Sequence, residues 1–320
     1  MTTTPKTPTL YIEGPAFWSA TLPGWEIASA VFRGDGAPAD PPAKRPSPQV
    51  LAPAERRRAP DTVALALEVA AAAVRASGHD AATLPSVVTS THGDLAVSDY
   101  MCATLATTPT LISPTKFHNS VHNAADLPCV FVSAHGDLGI NDYMCATLAA
   151  DPLLLSPIKF HNSVHNAAVG YWTIGTGCMA ASNSLAAYES SFASGLLEAA
   201  AQCAADQRAV LLAGYDMPAV GALASVTTSR EMLAVALVLS PTRSARTVAS
   251  FEWTLAAGAL PATPARSDAA RALQVNAMAD ALPLFEALAR GESESLALPL
   301  SATLSLQVQL QPELQLEALS

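Results

Sequence analysis

The segment HGDLAVSDYMCATLATTPTLISPTKFHNSVHNAA at 92–125 returns at 135–168 as HGDLGINDYMCATLAADPLLLSPIKFHNSVHNAA, with 26 of 34 positions identical. Upstream, LPSVVTST at 84–91 matches LPCVFVSA at 127–134 more loosely, so the repeating unit is 43 residues long. Repeat architectures need three or more stacked units to bury a continuous core. Two copies in 320 residues therefore read as one native segment plus a surplus copy, not as a solenoid. The expected organisation is one domain over 1–320, with duplicates at 84–126 and 127–169 and a parent of about 277 residues. The second HNSVHNAA runs without a breaker into VGYWTIGTGC, whereas the first meets Pro128 two residues after Asp126. A proline biases the residue before it away from helix. The first copy is accordingly expected to be the surplus one.

Half of the residues are hydrophobic, enough for a sizeable core. No run of 18 apolar residues occurs, and the N-terminal MTTTPKTPTLYIEG lacks the charged-then-apolar pattern of a signal peptide. A soluble, cytoplasmic protein without a membrane partner is the expectation. Five cysteines, Cys102, Cys129, Cys145, Cys178 and Cys203, form no C-x-x-C pair and read as reduced thiols. A net charge of −10 with only 17 basic residues argues against nucleic acid as a partner. The one basic cluster, Arg56 to Arg58, reads as a solvated helix start.

Along the chain, LYIEGPAFWSA suggests a short strand running into a loop, and the Pro-rich stretch at 36–60 suggests a surface connection. Asp61 is placed to cap an apolar helix, TVALALEVAAAAVRAS, that stops near Gly78. LPSVVTS and LPCVFVSA look like buried strands, each followed by HGD and a helix around DYMCATLA. Further on, SSFASGLLEAAAQCAAD reads as a helix, AVLLAGYD and MLAVALVLSP as buried strands, and DALPLFEALARG as a helix. ATLSLQVQLQ alternates cleanly enough for an edge or half-exposed strand. Helix-then-strand alternation predicts an α/β fold, a layered sheet covered by helices.

Seven stretches in order resemble the N-terminal half of the β-ketoacyl synthases, the condensing enzymes of fatty-acid and polyketide assembly. They are LYIEGPAFWSA with LPGWE, PAERRRAPDTVALALEVA, SAHGDLGINDYMCATLA, SPIKFHNSVHNAAVGYWTI, SSFASGLLEAA, VLLAGYD and ALPLFEALARG. More narrowly, the chain resembles the short ketosynthase-like proteins of bacterial aryl-polyene-type gene clusters. The resemblance implies a thiolase-like, half-ketosynthase fold and a cysteine nucleophile at a sharp strand-to-helix turn. Cys178 in GTGCMAAS is one candidate for that cysteine, because a thiol at a helix N-terminus can have a lowered pKa. The family's spacing points elsewhere. Counting about 23 residues on from NAAVG at 166–170 and about 21 back from VLLAG at 210–214 meets at Glu189, which cannot form an acyl thioester. In that register NSLAAY is the strand before the turn and SSFASGLLEAA the helix after it. Active relatives also take histidines from a C-terminal half, and no histidine follows His165 here. The resemblance thus implies a non-catalytic subunit like the chain-length factors, with no cofactor. Its expected partners are an active ketosynthase and an acyl carrier protein, in a hetero- or homodimer.

KFHNSVHN brings together Lys159, His161, Asn162, His165 and Asn166, with His161 and His165 on one face if the segment is helical. That spacing can bind a metal if His135 and Asp137 complete the set, although no H-E-x-x-H is present. The resemblance assigns Lys159, His161, His165 and Asn166 instead to structural or tunnel-lining roles near a dimer interface. The rival reading is a small acyltransferase using Cys178 as nucleophile with His161 or His165 as base. Lys116, His118 and His122 fall in the copy expected to be surplus. A third reading is that the duplication impairs folding.

Overall fold

The protein is described here by a computed structural model, over residues 7–90, 130–131, 138–162, 166–180, 182–218, 224–225 and 227–313. Its centre is built from two apolar strands, β5 (Val210–Asp216) and β6 (Leu233–Ser240), in which every residue is buried. Because side chains alternate across a strand, the sequence of β6 divides between two cores. Leu233, Val235, Leu237 and Leu239 enter one hydrophobic cluster, and Ala234, Ala236 and Val238 enter another on the opposite face. A strand apolar from Leu233 to Leu239 is covered on both sides.

β1 (Leu10–Ser19) lies antiparallel to β6, and its other edge pairs with β7 (Thr247–Ala257). The loop expected after a short strand in LYIEGPAFWSA does not form. β1 continues through it by a register shift between Glu13 and Ala16, with Gly14 at φ 53. A Cβ on Gly14 would overlap the Ala73 carbonyl oxygen. The bulge therefore serves close approach of α3 (Asp61–Ser77), of which 12 of 17 residues are buried. α3 stops at Gly78 in the left-handed conformation, as expected from sequence. At its other end Pro60 occupies the N-cap position, and the Asp61 carboxylate pairs with Arg45 at 2.8 Å instead of capping the helix.

α1 (Trp25–Arg33), α7 (Ser191–Asp206) and α9 (Leu282–Arg290) contribute Phe32, Phe192 and Phe285 to the first core. Phe285 makes edge-on ring contacts with Phe17, Trp25 and Phe192 at 5.9–6.1 Å between centroids. α3 and α6 (Ala167–Thr176) cover the other face. Between α1 and α3 the chain is irregular apart from the short α2 (Pro53–Arg58). The sheet is completed beyond β7 by an antiparallel meander, β9 (Leu304–Pro312) and then β8 (Glu294–Ser301), after the short α8 (Asp268–Ala272). β9 is half-exposed as its alternation predicts, but it is flanked on both sides and β8 forms the edge. Neither β7 nor β8 is legible from its sequence pattern. β8 carries Pro299 and slips register there, and the outer half of β7 faces solvent.

At the other end of the sheet the repeat divides in the middle of a unit. β2 (Ser86–Ser90), from the first copy, lies between β4 (Ser182–Ala186) and β5 and is parallel to both. β3 (Val130–Phe131), from the second copy, pairs with β2 and also with β4. The helices that follow, α4 (Leu138–Ala150) and α5 (Pro157–Asn162), belong to the second copy. The sheet order is β3-β4-β2-β5-β6-β1-β7-β9-β8. The corresponding stretch of the first copy, with Lys116, His118 and His122, lies outside the described residues, as do Cys102, Cys129, His135 and Asp137.

Candidate functional site

β4 runs parallel to β2 and ends at Ala186; the chain then turns through Tyr188–Ser190 and enters α7 at Ser191. Strand and helix thus fall where the family's spacing puts NSLAAY and SSFASGLLEAA. The turn is tight. Tyr188 sits at φ 53, one of two non-glycine residues with positive φ among those described, a conformation that costs about 1 kcal/mol or more for a residue of this size. Ser191 holds it closed, its Oγ donating to the Tyr188 carbonyl at 2.6 Å and accepting from the Ala187 N–H at 3.0 Å. Tyr188 and Glu189 are consequently exposed at the tip.

Beneath the tip, Asp280 supplies what the start of α7 lacks. Its Oδ2 accepts the Ala193 N–H at 2.9 Å, and so occupies the positive end of the helix. Asp280 Oδ1 is shielded from solvent and has no hydrogen-bond partner among the described residues. Burial pushes the Asp280 carboxyl up to about 7, against the opposing pull of backbone N–H groups at Phe192, Ala193 and Ala281. An open cleft of about 570 Å³ lies alongside, lined by Glu189, Ser190, Thr228, Asn276, Asp280 and Leu298 among others. Behind the lining, Ser229 holds the Ala277 segment, its Oγ bonding the Asp216 carboxylate and accepting the Ala277 N–H. Asp280 has no signature in the sequence. Its role depends on two segments 87 residues apart meeting in space.

Cys178 occupies a different place. It follows the left-handed Gly177 that ends α6, is 1% exposed, and belongs to the core on the α3 side of the sheet. α7 and Phe192 belong to the core on the other side. The Cys178 Sγ donates to the Leu84 carbonyl at 3.7 Å, and burial pushes its thiol pKa up, not down. Cys203 is likewise buried within α7, its thiol pushed up to about 12 by burial.

The histidine segment is described only in part. α5 ends at Asn162 and α6 begins at Ala167; His165 lies outside the described residues, and so does any face it shares with His161. Lys159 is exposed, with its ammonium 3.4 Å from the centre of the Tyr143 ring. Asn166 is exposed at the start of α6 and makes no side-chain cap. Asn162, by contrast, is buried. It accepts from the Tyr171 hydroxyl at 3.2 Å and donates to the Arg58 carbonyl at 3.4 Å, joining α5 to α6 and α2. Among the described residues no three His, Cys, Asp or Glu side chains converge as a metal site, and no helix is long and apolar enough to cross a membrane.

A mixed sheet covered by helices on both faces, with a strained strand-to-helix turn at the end of a parallel strand, is a layered α/β fold that fits the thiolase-like, ketosynthase class. The chain matches the family described as β-ketoacyl synthase, N-terminal domain, over residues 33–127 and again over 124–297, and it belongs to that family. The two matched stretches meet where one copy of the repeat gives way to the next. Solved structures agree on the fold. A chain in the complex of a ketosynthase (ApeO) with its chain length factor (ApeC) from Xenorhabdus doucetiae aligns with a TM-score of 0.60 and 19% identity, covering 94% of this chain and 99% of the other. A β-ketoacyl synthase from Burkholderia phymatum STM815 aligns at 0.52 and 13%, covering 87% and 71%. The PfaC keto synthase-chain length factor aligns at 0.55 and 11%, covering 98% and 44%. No curated protein matches.

Proposed function

We propose that this chain is a non-catalytic, chain-length-factor-like subunit of a bacterial fatty-acid or polyketide pathway of the aryl-polyene type, pairing with an active ketosynthase and an acyl carrier protein in the cytoplasm. The observation that carries the reading is the strand-to-helix turn. It presents Tyr188 and Glu189 where the family's spacing puts the nucleophile, and neither side chain can carry an acyl thioester. The Asp280 side chain supports the same reading, because it already occupies the Ala193 N–H at the start of α7, a donor otherwise placed to meet developing negative charge. The segment leading into β4 also offers exposed Ile174 and Met179, apolar surface suited to a partner subunit. A ketosynthase is the partner we assign, in keeping with the complex that supplies one of the structural relatives.

Intact-mass spectrometry after incubation with an acyl-carrier-protein thioester is expected to leave the chain unmodified, while co-expression with an active ketosynthase yields a stable complex. A stable acyl adduct on any cysteine would overturn the reading. The alternative acyltransferase, with Cys178 as nucleophile and His161 or His165 as base, has against it the burial of Cys178 and its position across the sheet from the turn. Transferase activity lost on Cys178→Ala would favour it.

A further inference from the structure

We propose that the cleft beside the strand-to-helix turn is a binding site for a small aliphatic amine, whose ammonium group pairs with the Asp280 carboxylate. Two observations converge there. The first is composition: the cleft is lined by two carboxylates, Glu189 and Asp280, and by no lysine, arginine or histidine. Ser190 and Thr228 add neutral hydrogen-bonding groups, while Pro283 and Leu298 give an apolar wall for an aliphatic frame. Its volume of about 570 Å³ falls within the span of small-molecule sites, roughly 300–1,000 Å³. The second observation is the one-sided bonding of Asp280. Oδ2 accepts the Ala193 N–H, but Oδ1 is shielded from solvent and meets no donor among the described residues. A shielded oxygen left without a donor carries the cost of its lost hydration. Asp280 is itself part of the lining, so the cleft is the side from which a donor reaches it.

The chemistry of that donor is constrained. A neutral hydroxyl or amide supplies a hydrogen bond only, whereas an ammonium also offsets the charge that burial penalises, and charge-assisted bonds are the stronger kind. The protein's own charged groups around Asp280 do not fill this role. On the turn, Glu189 is acidic. On α7, Glu198 accepts from Asn183 and Gln202, and Asp206 lies at the far end of the helix. On α9, Glu286 accepts the Arg266 and Ser267 N–H groups, and Arg290 pairs with Glu286, Glu292 and Glu294. Arg230, whose N–H bonds the Val275 carbonyl, turns its guanidinium to the Thr227 and Ser229 carbonyls. Both cations are therefore engaged elsewhere. Because burial keeps the Asp280 carboxyl protonated up to about pH 7, an ammonium binds below that pH only by expelling a proton. Affinity then falls as pH drops through about 7, by about tenfold between pH 8 and pH 6.

The test is isothermal titration calorimetry of the full chain with linear α,ω-diamines, from 1,3-diaminopropane to 1,6-diaminohexane, which offer a second ammonium to Glu189. Salt at about 150 mM screens loose attraction to the net charge of −10. At least one diamine is expected to bind wild type at pH 8 in the millimolar range or tighter, and about tenfold more weakly at pH 6. The corresponding diols, neutral and of similar shape, are expected not to bind measurably. Asp280→Asn is expected to weaken the best diamine by at least about tenfold at pH 8 and to abolish the pH dependence. Glu189→Gln removes an equal charge from an exposed position of the same cleft, and is expected to weaken binding only several-fold while leaving the pH dependence in place. The wild-type pH profile and the Glu189 variant stand as readouts even if the Asp280 variant does not fold. No diamine binding, a diol binding as tightly as its diamine, an affinity flat between pH 6 and pH 8, or a folded Asp280→Asn that binds like wild type would overturn the proposal.

Discussion

Replacing Asp280 with asparagine tests how the candidate site is held together. In the unfolded chain this carboxyl titrates near 3.8, and in the folded protein burial raises it to about 7. Below about pH 4 both states carry the proton and the group costs nothing. Between about 4 and 7 the unfolded chain releases its proton while the folded chain keeps it, so stability falls as pH rises; above about 7 the full penalty is present. A shift of about three units at roughly 1.4 kcal/mol each makes that penalty at most about 4 kcal/mol. The amide introduced by Asp280→Asn is neutral throughout, can still accept the Ala193 N–H, and resembles the protonated acid. The variant should therefore gain up to about 4 kcal/mol over wild type at about pH 8 and about 1 kcal/mol at about pH 4.5. With an unfolding entropy of roughly 2 cal/mol/K per residue, the difference is about 6 °C in melting temperature at the higher pH and less than about 2 °C at the lower. Circular-dichroism melts of both proteins at the two pH values measure it. A variant-minus-wild-type difference that is the same at both pH values would refute the argument, because it would mean that Asp280 does not change its proton affinity on folding.

Other perturbations address the frame. Phe285→Ala removes the ring shared by Phe17, Trp25 and Phe192 and should cost about 3–5 kcal/mol in denaturant unfolding. Gly14→Ala forces a Cβ onto the Ala73 carbonyl at a positive φ and should destabilise by about 2 kcal/mol or more, read as a lower midpoint without a change in slope. Iodoacetamide should label the partly exposed Cys145 at least about 100 times faster than Cys178 or Cys203, whose thiols are buried and raised in pKa. Equal labelling rates in the folded protein would show that Cys178 is accessible, and would revive its candidacy as a nucleophile.

Much of the frame was legible because it is written in local pattern. The uninterrupted apolar runs of β5 and β6, the long apolar helix α3 with its glycine stop, and the order of strand and helix each follow from periodicity and terminators that neighbouring residues supply. The turn at Glu189 was legible through family spacing, which fixes how far apart a strand and its following helix must stand. The bulge at Gly14 was not legible, because nothing local to LYIEGPAFWSA shows that α3 presses on that backbone. β7 and β8 escaped because one is half in solvent and the other is interrupted by Pro299.

The duplication shows where the boundary between the two kinds of information lies. The sequence by itself determined that two closely similar segments exist, since identity of residues is a one-dimensional fact. It could not decide how they are used, and the expectation that a whole copy would serve was framed at the boundary of the repeat. Tertiary structure divides the work within the unit, taking the strand beside β4 and β5 from the first copy and the helices from the second. The physical reason is that a strand's place in a sheet depends on contacts with segments distant along the chain, which here are β4 and β5. Asp280, beside the start of α7, follows the same rule: its burial and its raised pKa exist only once α7 and the segment before α9 have come together.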